Sequence, residues 1–225
     1  MRLHTPPWRS LALAVAIGCV ACADGPARDA GVGPTDELRM VALVPSLTEI
    51  VVALGATEHL AARTDYDTDP AVVDLPSVGG GLDPNLEALV GLEIDLVLMT
   101  AAREASVMEQ SLAALGIEML LIPTNTISDV YDAIEEIGGL LDRGGAAEEL
   151  AASLRTDLAD LSASLADVEP LDVMYVVWPD APMYSGSGTF VDELIDVAGG
   201  RNVFDDAPLA WPTVGFETIV ERATD

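Results

Sequence analysis

The sequence predicts an α/β protein of two lobes, each with mostly parallel sheet, joined by one long α-helix, the second lobe being incomplete. Three observations predict it. Short apolar runs of buried-strand type alternate with helical segments from Arg39 onward. Two stretches echo each other. Asn85-Leu86-Glu87-Ala88-Leu89-Val90 leads to Asp95, and Gly215-Phe216-Glu217-Thr218-Ile219-Val220 leads to Asp225. A looser echo pairs Glu49-Ile50-Val51, before Gly55-Ala56, with Glu193-Leu194-Ile195, before Gly199-Gly200. Between the halves, Leu150, Leu154, Leu158, Leu161 and Leu165 recur at helical spacing with no Gly or Pro between them.

Taken in order, residues 1–23 read as a leader. Arg2 and Arg9 precede the apolar stretch Leu11 to Ile17, which is too short for a permanent span. Ala16-Ile17-Gly18-Cys19 has the form of a lipoprotein box, Cys22 is a second candidate for lipidation, and cleavage after Ala23 also fits. Both cysteines lie here, so no disulfide is expected downstream. Residues 24–38, rich in Gly, Pro, Ala and Asp, read as a flexible tether. The N-terminal lobe is assigned to 39–143. It opens on the strand Val41 to Val44, and Ser46 to Glu49 has the pattern of a capping box for a helix ending at Gly55. Next come a helix over 86–92, a strand over 96–99, a helix over 104–115, a strand over 118–122, and a helix over 128–137 stopped by Gly138-Gly139. The interlobe helix is placed within 144–168, with Ala146 to Val168 long enough to bridge two lobes at roughly 34 Å. The partial C-terminal lobe, 169–225, carries a strand over 173–177 and a helix over 190–197. Nothing follows Asp225 to match the strand after Asp95. The lobe is therefore expected to lack strands, either as a piece of a longer protein, the favoured alternative, or as a short variant.

Composition narrows the function. A hydrophobic content of 50% supports a core, while 4% aromatics make it one of Ala, Leu and Val. The formal net charge is −28 with all ten basic residues Arg, which argues against nucleic acid and against broad contact with anionic lipid. Two histidines, His4 in the leader and His59, cannot build a triad or a metal cluster, and no nucleophile elbow or phosphate loop is present. No catalytic or metal-binding residue is assigned, and His59 reads as a solvated loop residue. What remains are loops at the C-terminal ends of strands, where open α/β sheets bind ligands: Pro45-Ser46, Thr100 to Arg103 and Trp178-Pro179, joined by the turns holding Tyr66 and Trp211. Gly79-Gly80-Gly81 and Ser185 to Gly188 read as loops that let a ligand or the other lobe come close, or as plain surface turns. Aromatic side chains in a cleft suit a large, flat, partly apolar ligand, although each Trp could equally fill a lobe core.

Met40 to Ile50, Thr64-Asp65-Tyr66, Val78-Gly79-Gly80, Pro84 to Glu87, Tyr184-Ser185-Gly186, Phe190, Glu193-Leu194, Ala198 to Val203 and Trp211 to Val214 together resemble the periplasmic binding proteins for cobalamin and ferric siderophores, the helical-backbone (class III) type. The resemblance covers Arg39 to Asp225. It implies two Rossmann-like lobes on one long helix and an extracytoplasmic binding protein, not an enzyme, serving an ABC permease dimer with its ATPase. It implies a location in the periplasm or on the outer face of the membrane, held there only by a lipid anchor. Glu87 and Glu217 match the surface glutamates that dock on the permease; on their own they would simply complement helix N-termini. Tyr66 and Trp211 match cleft aromatics of the cobalamin-binding members. Ser46, Gly80, Arg103 and Trp178 complete the expected ligand set. Arg103 is the one obvious basic residue for an anionic siderophore, so cobalamin is the expected ligand and no cofactor is expected. Haem is disfavoured by the lack of a cleft His, although Tyr66 or Tyr184 could ligate iron. An enzyme working in an interlobe cleft, such as a chelatase or sugar-nucleotide transferase, and a sensory lipoprotein without transport are the competing readings.

Overall fold

The computed structural model describes residues 38–101, 105–178 and 183–222, except the side chains at 105, 106 and 178. The chain divides after Asp36, and all described residues belong to the unit beginning at Glu37. The leader, its two cysteines and most of the tether lie outside the described residues.

Three parallel strands, β1 (Met40–Ala42), β2 (Leu96–Thr100) and β3 (Glu118–Ile122), lie side by side in chain order. Their apolar runs follow from burial on both faces. Met40, Ala42, Leu96 and Leu98 face one core with α1 (Pro45–Ala53), α4 (Ile127–Leu140) and α5 (Gly144–Ser164). Val41, Leu43, Val97 and Met99 face another with Leu89 of α2 (Leu86–Gly91) and Leu112 of α3 (Ala105–Ala114). The period-two alternation of side chains sends neighbouring residues to opposite layers.

The second half is built from shorter pieces. β4 (Leu171–Val173) pairs in parallel with β7 (Gly200–Asn202), and β5 (Val176–Trp178) pairs antiparallel with β6 (Met183–Tyr184). The helices here are α6 (Phe190–Val197) and α7 (Phe216–Arg222). The single strand expected over 173–177 is thus two strands separated by Met174-Tyr175. This architecture of parallel sheets, covering helices and one long helix is the expected fold class.

Local expectations fail in three places. Ser46 does not cap α1: Val44 is the N-cap without a side-chain bond, and Pro45 occupies the first turn, where its fixed φ and missing N–H suit it. The capping box that forms is Thr126 with Asp129, which starts α4 one residue earlier than expected. Gly138-Gly139 does not stop α4, which continues to Leu140 before Asp142 turns at φ 55°.

Gly138 instead serves the hairpin of α4 and α5. A Cβ added there would sit 2.4 Å from the Cβ of Ala147, so the glycine lets the helices approach closely. Ala147 and Ala151 are the buried positions of α5, Leu150 and Leu154 are only partly buried, and Leu161 is exposed. The leucine stripe is therefore half-covered, and the tightest contact belongs to small residues. Outside it, Arg155 lies 4.4 Å over the Tyr131 ring and pairs with Glu135. Gly138→Ala is expected to destabilise the protein by about 2 kcal/mol, the overpacking penalty exceeding the gain in helix propensity. Urea unfolding checks this, and adding Ala147→Gly should recover most of the loss. A loss that Ala147→Gly does not reduce would contradict the close contact.

Candidate functional site

Three loops converge at the C-terminal end of β1. Leu43 accepts no side chain opposite it: a Cβ on Gly81 would stand 1.9 Å from the Leu43 carbonyl oxygen, so this crossing requires glycine. The turn Thr64 to Asp67 is tied beside it, with the Asp65 amide donating to the Gly79 carbonyl at 2.9 Å. Tyr66 projects from the turn with 67% of its surface exposed, its ring edge 3.8 Å from where a Cβ of Gly80 would lie. The glycines are thus approached by their own lobe, by a carbonyl and by the Tyr66 ring. Tyr66 lies over the side of Gly80 where a side chain would project, and Ser46 lies in the first turn of α1 just beyond the same strand.

Ser46 also lines an apolar groove of about 410 Å³ with Ile50, Thr124, Ile134, Leu154 and Phe190. Phe190 belongs to the second half, so the groove spans both. Beside it, the Glu193 carboxylate of α6 accepts from the Ile127 amide at the start of α4 at 2.6 Å. The Glu193 echo with Glu49 pointed to this residue, but the hydrogen bond across 66 residues left no local signal.

Trp211 occupies the other region. The Gly186 amide donates to the Ala210 carbonyl and the Tyr184 amide to that of Pro212, which fixes the strip around Trp211. Asn202 braces it from below, donating through Nδ2 to the Ser185 carbonyl and to Asp192. Trp211 itself is 41% exposed. Among the described residues, Tyr184 and Phe204 form the aromatic pair, with centroids 4.8 Å apart, and Trp211 has no ring partner. Tyr184 is buried, so of the two phenols considered for iron only Tyr66 faces solvent. Trp178 ends β5, its side chain not being among those described, and Arg103 lies outside the described residues. Tyr66 thus lies beside the Gly79 to Gly81 loop, Ser46 lines the neighbouring groove, and Trp211 stands on a separate braced strip.

Glu87 and Glu217 each stand second in their helices, α2 and α7, and both are exposed. Among the described residues neither carboxylate has a hydrogen-bond or ion-pair partner. The cap of α2 is supplied by Asn85, which accepts from the Ala88 amide, so Glu87 is not needed for it. Val90 and Val220, three residues on in each helix, are also exposed. α7 is anchored by Arg222, which pairs with Asp206 and lies 5.1 Å from the Phe204 ring centre. The hydrogen bond from Arg222 holds the Asp206 carboxyl below its ordinary range, and the same bond raises Arg222. Asp196 on α6 is pushed upward, first by partial burial and then by Asp192, Asp205 and Glu193.

His59 is tied down, its Nδ1 3.2 Å from the Leu38 carbonyl, and so is not the freely solvated residue expected. Among the described residues no group of three or more His, Cys, Asp or Glu could hold a metal, and no helix is long and apolar enough to cross a membrane.

A family model described as "Periplasmic binding protein" matches residues 40–225. A vitamin B12-binding protein of Photorhabdus laumondii is 28% identical over 187 residues, covering 82% of this chain and 68% of its own. An uncharacterized ABC transporter substrate-binding lipoprotein of Bacillus subtilis is 32% identical, covering 83% of this chain, which spans 62% of that relative's length. Among solved structures, the periplasmic vitamin B12 binding protein of Vibrio cholerae superposes with TM-score 0.69 at 25% identity, over 82% of this chain and 73% of that one. The periplasmic haem-binding protein of the same organism gives 0.72 at 23%, over 83% and 73%, a likeness of fold alone.

Proposed function

This chain belongs to the periplasmic binding protein family, and from that premise we propose that it captures cobalamin outside the cytoplasm and delivers it to an ABC importer. The observation that carries the reading is Tyr66, an aromatic ring left open to solvent on a tightly tied loop at a strand end. An open ring on a fixed backbone suits a flat macrocycle, because stacking needs area and little reorganisation. Trp211 is the second aromatic surface of the proposed site, and Ser46, Gly80, Arg103 and Trp178 complete it. The relatives named for vitamin B12 support the corrinoid over other cargo. Cys19 or Cys22 is the proposed lipid anchor, in keeping with the lipoprotein among the relatives. The permease dimer and its ATPase are the proposed partners, met through Glu87 and Glu217, and no catalytic step is assigned to the chain.

A second reading, capture of haem or a ferric siderophore, is favoured by the Tyr66 phenol, an exposed oxygen able to ligate iron. Parallel calorimetric titrations with cyanocobalamin, haemin and a ferric hydroxamate separate the two. The corrinoid should bind at micromolar concentration or tighter. Binding of haemin or the ferric chelate without cyanocobalamin would replace the first reading by the second.

A further inference from the structure

We propose that Asp67 is a positioning residue whose buried carboxylate fixes the Tyr66 ring for stacking on a flat ligand; this rests on the ligand reading above. Asp67 is 4% exposed and Thr64 is fully buried. One oxygen, Oδ2, accepts from both the Thr64 amide and the Thr64 hydroxyl, each at 2.7 Å. With its proton committed to Asp67, the Thr64 hydroxyl accepts from the Tyr66 amide at 3.3 Å. On the other flank, Asp65 Oδ1 accepts from the Ser77 hydroxyl at 2.6 Å, and Ser77 Oγ accepts from the Gly79 amide at 3.0 Å.

Both carboxylates flanking Tyr66 are therefore spent on the loop. Asp67 turns inward and Asp65, though exposed, is tied to Ser77, so the Tyr66 ring is the aromatic surface this turn offers. A buried carboxylate is unfavourable unless hydrogen-bonded, so its bonds to Thr64 hold one arrangement of the turn against the others. An exposed ring on an untied turn would have to be ordered on binding; here that ordering is built in. The relay needs an acceptor oxygen at residue 67 rather than its charge. Asn therefore substitutes for Asp, and Ala does not.

The full chain labelled with 3-fluorotyrosine tests this by fluorine NMR, the Tyr66 resonance being assigned with Tyr66→Phe, alongside cyanocobalamin titration. Asp67→Ala should move the resonance toward that of free fluorotyrosine and weaken cyanocobalamin about tenfold or more, while Asp67→Asn keeps both near the parent, within about twofold in affinity. Should Asp67→Ala fail to fold, Thr64→Val, which removes the relaying hydroxyl, carries the same expectation. An unmoved resonance in Asp67→Ala overturns the proposal, as does a moved resonance with unchanged affinity, or equal losses in Ala and Asn. If the parent binds no cyanocobalamin, the ligand reading falls and the stacking role with it, whereas the resonance still shows whether Asp67 sets the ring.

Discussion

Replacing Glu87 and Glu217 together by alanine leaves cyanocobalamin affinity within about twofold and abolishes uptake in cells that depend on this protein. The affinity is unaffected because both side chains stand on exposed helix starts with no partner among the described residues. Uptake fails because each carboxylate is proposed to form charge-assisted hydrogen bonds with basic side chains of the permease, one from each half of the chain. Truncating one partner of such a pair typically costs about 2–5 kcal/mol, so each single substitution should lower permease affinity roughly 30-fold or more. The loss should shrink at high salt if the pairs remain partly solvated. Unchanged uptake by the double variant would leave the glutamates as ordinary complements of their helices.

Removing both aromatic surfaces gives the second large effect. Tyr66→Ala with Trp211→Ala is expected to weaken cyanocobalamin about a thousandfold, at about 2 kcal/mol for each ring taken from a stacked ligand. Each single substitution should weaken it about 30-fold. The fold should survive, since both rings are substantially exposed and neither belongs to a core cluster. Near-parent affinity in the double variant would move the ligand elsewhere, the groove lined by Ser46 and Phe190 being the next place to look.

Patterns with a fixed period were legible in the sequence. The runs at Leu96–Met99 and Glu118–Ile122 became parallel strands, and the segment before Pro170 became a long helix, because burial on two faces and helical spacing both repeat locally. Boundaries set by competing local rules were not. Ser46 and Glu49 have capping chemistry, but Pro45 pre-sets the first turn and displaces the cap to Val44. Gly138 has the composition of a stop, but close approach to Ala147 outweighs it. At the proposed site, the placing of Tyr66 and Trp211 in open loops was readable because scarce aromatics outside apolar runs stand out. Asp67 was not, and the echo that marked Glu193 gave no sign of its partner, because each makes an inward hydrogen bond that an acidic surface composition conceals. Ser46, Tyr66, Gly80, Arg103, Trp178 and Trp211 are all proposed ligand residues, and of these Arg103 and the Trp178 side chain lie outside the described residues.

A corrinoid held against Trp211 must quench it. Stepwise addition of cyanocobalamin to the full chain, with tryptophan emission followed and the corrinoid's own absorption corrected, should give saturable quenching at micromolar ligand. Trp211→Phe should lower that amplitude, the remainder coming from Trp178. Quenching that never saturates, or that survives undiminished in Trp211→Phe, would contradict capture of the macrocycle at this surface.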